Sequence, residues 1–302
     1  MPFYSKTASS KKITHAYIFT LNKDVGKSNA NRDSLQAFFP DRSTIVNVIL
    51  NDPFSYFQSF VDIISKIYNQ DIKRILIDIS TFTHEMLLIL LKVLHQKKHL
   101  FDKIEFLYVG ASEYSVGDDE EHMWLSKGCK DVRTVLGYPG IIFPNKPICL
   151  ILLVGFEHER AMGLINSMDP DQILMGCGLT GTNDVMSDSH INPMLFFEKM
   201  FKSLLSSRNN VKQFSFSVKN IEDTVNKIKE QIDNTKEFNH IIVPLNTKTS
   251  TLATGIIALE DPTVQLCYAE PDEYNVENYS SPSNRILKFT WWQKNDTTLV
   301  VS

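Results

Sequence analysis

Ile75-Leu-Ile-Asp-Ile-Ser-Thr-Phe-Thr83 aligns without a gap on Ile241-Ile-Val-Pro-Leu-Asn-Thr-Lys-Thr249. Each segment reads as an apolar strand running into a Ser/Asn-Thr-x-Thr turn, followed by an apolar helix. A second block repeats in the same order, Tyr108-Val-Gly-Ala-Ser-Glu-Tyr-Ser-Val116 on Tyr268-Ala-Glu-Pro-Asp-Glu-Tyr-Asn-Val276. Two matched blocks at nearly the same separation predict two copies of one strand–turn–helix–strand unit.

Outward from these blocks, apolar runs alternate with helical spacing. The first half predicts strands over Ala16–Leu21, Thr44–Leu50, Ile75–Ile79 and Lys103–Val109, and helices over Phe54–Tyr68 and Thr83–Leu94. Asn22–Asp33 reads as a polar loop. The pattern restarts with strands over Ile148–Val154, Gln172–Met175, Val211–Val218, 240–245 and 263–268. Helices are expected over Phe156–Met168, Asn192–Leu205, Ile221–Ile232 and 249–259. Arg285–Gln293 and Thr298–Val301 flank Lys-Asn-Asp-Thr, a hairpin signal. The expected fold is α/β: two Rossmann-like lobes, each a doubly wound, mostly parallel sheet, related by an internal repeat and followed by a C-terminal β-hairpin. The expected division is a flexible tail (1–12), a first lobe (13–116), a connector (117–147), a second lobe (148–276) and the hairpin (277–302).

The chain of 302 residues can bury one large core or two modest ones. A hydrophobic fraction of 43% and a charged fraction of 22% are ordinary for a globular protein. A net charge of −4 gives no global attraction to nucleic acid or anionic membranes. The four cysteines form no C-x-x-C pair, which argues for a reducing compartment without a disulfide frame or structural zinc. Residues 1–12 lack the apolar core of a signal peptide, and no apolar run approaches the ~20 residues of a membrane span. A cytoplasmic protein with no membrane association is expected, and a homo-oligomer is left open.

In a doubly wound sheet, ligands bind beyond the carboxyl ends of the strands. The turns Ser80-Thr81-Phe82-Thr83 and Asn246-Thr247-Lys248-Thr249-Ser250 lie there. Their hydroxyls, with the free amides of the following helices, can bind phosphate or carboxylate oxygens. The same residue types are also the preferred helix caps. Lys248 adds a cation, and His84 a switchable charge. Glu157, His158 and Arg160 open the next helix and can face the same ligand, although first-turn glutamates also simply favour the helix dipole. In the repeated pairs Glu113-Tyr114 and Glu273-Tyr274, Tyr114 and Tyr274 can stack on a base or can serve the turn alone. Gly176-Cys-Gly-Leu-Thr-Gly181 matches G-x-G-x-x-G, but no helix starts at once, so a loop over the site is expected rather than a dinucleotide fingerprint. Gly26-Lys27-Ser28 lacks phosphate-loop spacing, and places Lys27 and Arg32 as cations at the rim of the first strand. Asp118–His122 reads as a solvated acidic loop. No cofactor, metal site or catalytic triad is expected.

The second copy, Val243-Pro-Leu-Asn-Thr-Lys-Thr-Ser-Thr-Leu-Ala-Thr-Gly255, resembles the strand–turn–helix motif of CRISPR-associated Rossmann fold (CARF) domains. The first copy is similar, with Phe82 where the family has lysine and without the family's turn glycine in either copy. Two such lobes resemble the fused pair of SAVED domains. The resemblance implies a sensor or regulatory subunit of prokaryotic antiviral defence. It would bind a nucleotide or cyclic oligonucleotide second messenger and signal to a separate effector protein. It also implies two alternatives: a nucleotide-acting phosphodiesterase of the ring-nuclease type, or an assembly subunit of a defence complex, to which Phe82 points.

Overall fold

A computed structural model describes residues 13–21, 26–114, 125–179, 193–275, 280–294 and 300–301. Contacts divide the chain into residues 1–71 and 72–302.

In the first unit, β1 (Ala16–Leu21) and β2 (Ser43–Val48) pair in parallel, with Ala16 opposite Ser43 and Leu21 opposite Val48. Parallel neighbours need a crossover. It is supplied by α1 (Gly26–Phe38), so most of the expected polar loop Asn22–Asp33 is helix. Lys27 and Arg32 therefore stand on a helix, and Arg32 pairs with Asp33. Few residues of α1 are apolar, which is why periodicity passed over it. The helix α2 (Pro53–Asn69) starts where Asp52 accepts from the amides of Phe54 and Ser55, with proline in the first turn. It buries Tyr56, Phe60, Ile63, Ile64 and Ile67.

The second unit is built on a six-stranded sheet. Its strands are β6 (Asp131–Thr134), β7 (Ile148–Val154), β8 (Gln172–Leu179), β9 (Val211–Ser217), β10 (Asn239–Leu245) and β11 (Gln265–Glu270). Their order is β6-β11-β10-β7-β8-β9. All neighbours are parallel except β6, which adds antiparallel to β11. From β9 to β11 this is the Rossmann order 3-2-1-4-5. The connecting helices are α4 (His158–Met168), α5 (Pro193–Ser207), α6 (Ile221–Asp233) and α7 (Lys248–Glu260), with α3 reserved for an earlier helix below. Alternate residues of β7 (Leu150, Leu152, Val154) share one core with Ala161, Leu164 and Ile165 of α4 and Phe197, Met200 and Leu204 of α5. That alternation is the period-two signature of a strand with a helix layer on its face.

The same unit holds β3 (Arg74–Asp78), α3 (His84–Lys97) and β4 (Lys103–Tyr114). Here β3 and β4 are parallel, and β13 (Ser280–Gln293) runs antiparallel to β4, followed by β14 (Val300–Val301), in the order β14-β13-β4-β3. The first strand of the expected hairpin thus joins the sheet that holds β3 and β4. A further ladder joins β5 (Ser126–Lys127) to β12 (Glu273–Tyr274). Helices α3 and α7, which follow the two matched strands, pack on one another. Gly255 allows it, because a Cβ there would meet Leu91 and Leu88.

The two matched segments do run strand–turn–helix, but their caps are offset. Thr83 caps α3, whereas Thr247 caps α7, at the position aligned with Thr81. The cause is local. Asp78 accepts from the Ser80 amide and hydroxyl, and Phe82 donates to the Ile79 carbonyl, which inserts a turn before the first helix. Pro244 holds the aligned position in the second copy and continues the strand instead.

Gly176 and Gly178 also depart from expectation. They lie inside β8, so Gly176–Leu179 is strand and not a loop over the site. A Cβ on Gly176 would press on Leu153 and Phe214, at 2.8 Å from each. The glycines serve sheet packing; Thr180 and Gly181 lie outside the described residues. Among the described residues no helix is long and apolar enough to cross a membrane.

Candidate functional site

The strand order reverses between β7 and β10, whose helices α4 and α7 leave on either side of the crevice there. Such a switch point is where open α/β sheets bind ligands. The two strand ends are held close. Gly155 follows β7, and a Cβ on it would overlap the Leu245 carbonyl oxygen. Asn246 Nδ2 donates to the Val154 carbonyl at 2.5 Å, and its Oδ1 accepts from the Thr247 amide at 2.9 Å.

Most polar side chains of the two turns are engaged in shaping them. Thr247 accepts from the Ser250 amide, Ser250 Oγ donates to the Thr247 carbonyl at 2.8 Å, and Thr249 Oγ1 donates to the Val218 carbonyl at 2.5 Å. In the other turn, Thr83 accepts from the Met86 amide, and Ser80 Oγ accepts from the Val109 amide while donating to Asp78. Thr81 is exposed. These contacts bind chain to chain, and none of them involves the side chain of Lys248 or His84.

His84, the first residue of α3, reaches Thr251 on α7, with Nδ1 2.5 Å from Oγ1. The Thr251 hydroxyl also lies 3.0 Å from the Thr247 carbonyl oxygen. With the hydroxyl proton on that carbonyl the ring Nδ1 is the donor; with it on the ring, Nδ1 accepts and Nε2 bears the proton. The pKa of His84 is held well below its ordinary value, first by burial and then by the charges of Lys248 and Arg160. Lys248 opens α7. It is half-buried by surface area, yet enough protein surrounds its ammonium to lower the pKa to about 8. Burial is the main cause; Arg160 adds repulsion, and Glu157 opposes the shift. Among the described residues no carboxylate comes within ion-pair distance of it.

Behind these two lies a buried charged cluster. Arg160, 1% exposed, donates to Glu157 Oε2 at 2.5 Å and to the Ala269 carbonyl through Nε at 3.0 Å and Nη2. Glu157 makes no cap bond to α4; it accepts instead from Ser126 Oγ at 2.5 Å. Tyr268 has the Arg160 guanidinium 5.5 Å and the Arg133 guanidinium 5.3 Å from its ring centre. Its hydroxyl meets that of Tyr274 at 2.8 Å, and burial raises the pKa of both phenols. Arg133 grips Glu85, 1% exposed, with two bonds of 2.9 and 2.8 Å, and also reaches Glu270 at 2.5 Å.

Of the residues singled out in sequence, the structure therefore gathers His84, Lys248, Glu157, Arg160 and Tyr274. The side chains of Tyr114 and His158, and residues 118–122, lie outside the described residues. Thr251, Glu85, Arg133, Tyr268 and Glu270 escaped the sequence reading. Tyr268 and Glu270 fall in the second matched block and Thr251 in the Val243–Gly255 segment, but none was singled out there. Arg133 and Glu85 are far apart in the chain and follow no motif. Among the described residues no three His, Cys, Asp or Glu side chains are grouped to hold a metal ion, and all four cysteines are free thiols.

No family model and no curated protein matches the chain. Among solved structures it is similar to an N-terminal ketoreductase from a macrolactin assembly line, at 10% identity and a TM-score of 0.23, over 83% of this chain and 69% of that one. So low a TM-score does not superimpose the two topologies. The α/β fold rests on the strand order itself.

Proposed function

We propose that the chain is a sensor subunit that binds an anionic, nucleotide-type ligand at the β7–β10 switch point and signals to a separate effector protein. A cyclic oligonucleotide second messenger is the leading ligand class, from the resemblance to CARF and SAVED domains. The observation that carries the proposal is Lys248. It is a cation without an ion pair among the described residues, set on the first turn of a helix whose dipole disfavours positive charge, and repelled by Arg160. Groups perturbed by desolvation and a specific charge in a cleft are candidates for a functional site. A bound phosphate would supply the missing counter-charge, and the free amides of the α7 and α3 first turns would add donors.

The signal would be a population shift. His84 and Thr251 join the first turns of α3 and α7, so a ligand on α7 acts directly on the helix that follows β3.

The test is a thermal-shift screen against nucleotides and cyclic oligonucleotides, with Lys248→Met and Thr81→Ala alongside. A ligand at ~100 times its Kd should add ~2.7 kcal/mol of stability. The shift should vanish in Lys248→Met. If no nucleotide shifts the wild-type protein, the sensor assignment falls and a scaffold role takes its place.

A further inference from the structure

We propose that β9 is a docking edge for a second copy of this chain, which pairs with it antiparallel about a two-fold axis through Gln213 and joins the two six-stranded sheets into one. The proposal concerns the rim of the sheet, not the crevice between β7 and β10, and does not rest on the sensor assignment.

The main-chain groups of β9 set the geometry. Among the described residues β9 pairs with β8 alone and ends the sheet, in an unbroken register from Ile173 opposite Val211 to Leu179 opposite Ser217. Successive residues of such a strand direct their N–H and C=O to opposite sides. The Asn210 carbonyl accepts from Ile173 and the Val218 amide donates to Leu179, so the even-numbered residues serve β8. The odd-numbered ones, Val211, Gln213, Ser215 and Ser217, face away from the sheet. Ser217 is satisfied within the chain: its amide donates to Asp223 Oδ2 at 2.9 Å and its carbonyl accepts from Thr224 Oγ1 at 2.6 Å. Among the described residues nothing does the same for Val211, Gln213 and Ser215. A row of open donors and acceptors is a template for a further strand. The usual protections of an edge are missing here: β9 is seven residues long, has no proline and no bulge, and carries one charge, Lys212.

The strand is complementary to itself. Setting Gln213 opposite Gln213 of the second copy places Val211 opposite Ser215 and uses every outward group that Ser217 leaves open, each pair exchanging both N–H···O bonds. A register centred on Phe214 would instead set Val211 against the Ser217 groups that α6 has taken. On one face, the Gln213 register puts each Lys212 directly opposite a Phe214 ring, a cation against a π face. Phe214 lies half-buried over Gly176, which leaves one side of its ring to be covered. On the other face, Gln213 and Ser215 border a groove of about 680 Å³ with Phe201 and Leu205 of α5, and Leu205 is 45% exposed. The same axis brings α5 of the second copy toward that groove, which adds apolar area to the strand pair. The pairing is closed, because each copy uses its one edge once.

The experiment is sedimentation equilibrium of the full chain up to ~100 µM, since one strand pair and a groove make a small interface of weak affinity. The average mass should rise with concentration toward twice that of the chain. Gln213→Pro removes an amide that β8 does not use and puts a ring where the second copy would pair, so it should abolish association and leave the melting temperature nearly unchanged. Lys212→Glu, at an exposed side chain, sets a carboxylate against the Phe214 ring and should weaken association at least tenfold; it carries the test if the proline variant does not fold. Mild oxidation should join Gln213→Cys to its copy, because Cα atoms of such a pair stand ~5.5 Å apart, within disulfide range. Wild type and Lys212→Cys should stay unlinked. A wild type that remains monomeric, as it would if a different chain covered β9, overturns the proposal. So does a dimer that both edge variants leave intact, or one in which Phe214→Cys crosslinks faster than Gln213→Cys. A nucleotide-induced thermal shift in a protein that stays monomeric sinks the dimer and keeps the sensor, and a dimer without any such shift does the reverse.

Discussion

Lys248 is held where burial, a helix dipole and Arg160 all oppose its charge, and that placement has a cost visible in stability. The sign follows from its depressed pKa. Below about pH 8 both folded and unfolded chains carry the charge, and the full penalty is present. Between about 8 and the unfolded value near 10.4 the unfolded chain binds more protons, so stability rises with pH and the penalty fades. Lys248→Met should therefore stabilise the protein by ~1–2 kcal/mol at pH 7, discounted for the residue's partial exposure, and the gain should vanish by about pH 10. Urea melts of both proteins across that range would show it; a destabilised variant at pH 7 would refute it. An anion on Lys248 would restore its ordinary pKa, so ligand binding at pH 8.5 should take up a fraction of a proton and at pH 6 none. Calorimetry in buffers of different ionisation enthalpy reads this directly. Arg133→Ala carries the opposite expectation. It strands Glu85 in the interior and leaves Glu270 to Lys130, and should cost ~3 kcal/mol in a urea melt. The turn residues and Lys248 were legible because they sit at a strand end in an apolar context. Arg133 was not, because a long-range charge pair leaves no periodic mark.

Among elements, the close approach of β7 and β10 is the most exacting. Gly155→Ala would place a methyl against the Leu245 backbone, which cannot yield as a flexible side chain could. We expect a loss of about 1–3 kcal/mol and a weakened Asn246–Val154 bond, measurable by denaturant melt and by faster amide exchange at both strand ends. Unchanged stability would mean that the two strand ends can part freely. Strands β3, β7 and β10 could be read because buried parallel strands are nearly continuous apolar runs. Helix α1 could not, since its polar composition hides its period. The cap offset between the two matched segments was equally hidden. One Asp-for-Pro difference, Asp78 against Pro244, moves the helix start by two residues while the alignment stays gapless.

At the scale of the molecule, β13 covers the edge of β4 that would otherwise be open, and Phe289 on it is buried beside Phe106. Removing residues 280–302 should expose that edge, lower the melting temperature and promote aggregation, to be followed by light scattering during a thermal ramp. A soluble, equally stable truncation would show that the strand is an accessory. The Rossmann order of the larger sheet could be anticipated from alternating strands and helices. That the chain parts between Asp71 and Ile72 could not, for nothing in the composition changes there. Nor does a sequence say that its C-terminal strand returns to a strand near its beginning, because pairing at that separation is set by which edges remain uncovered.

The bond between His84 and Thr251 also makes the imidazole a spectroscopic reporter. A hydroxyl that keeps its proton on the Thr247 carbonyl leaves the neutral ring protonated on Nδ1, the less common form for a free histidine side chain, whereas one that donates to the ring leaves it protonated on Nε2. In a nitrogen-labelled protein, the two ring resonances of this residue would be told apart at rest, one proton-bearing and one bare. A guest settling beside Lys248 would move them.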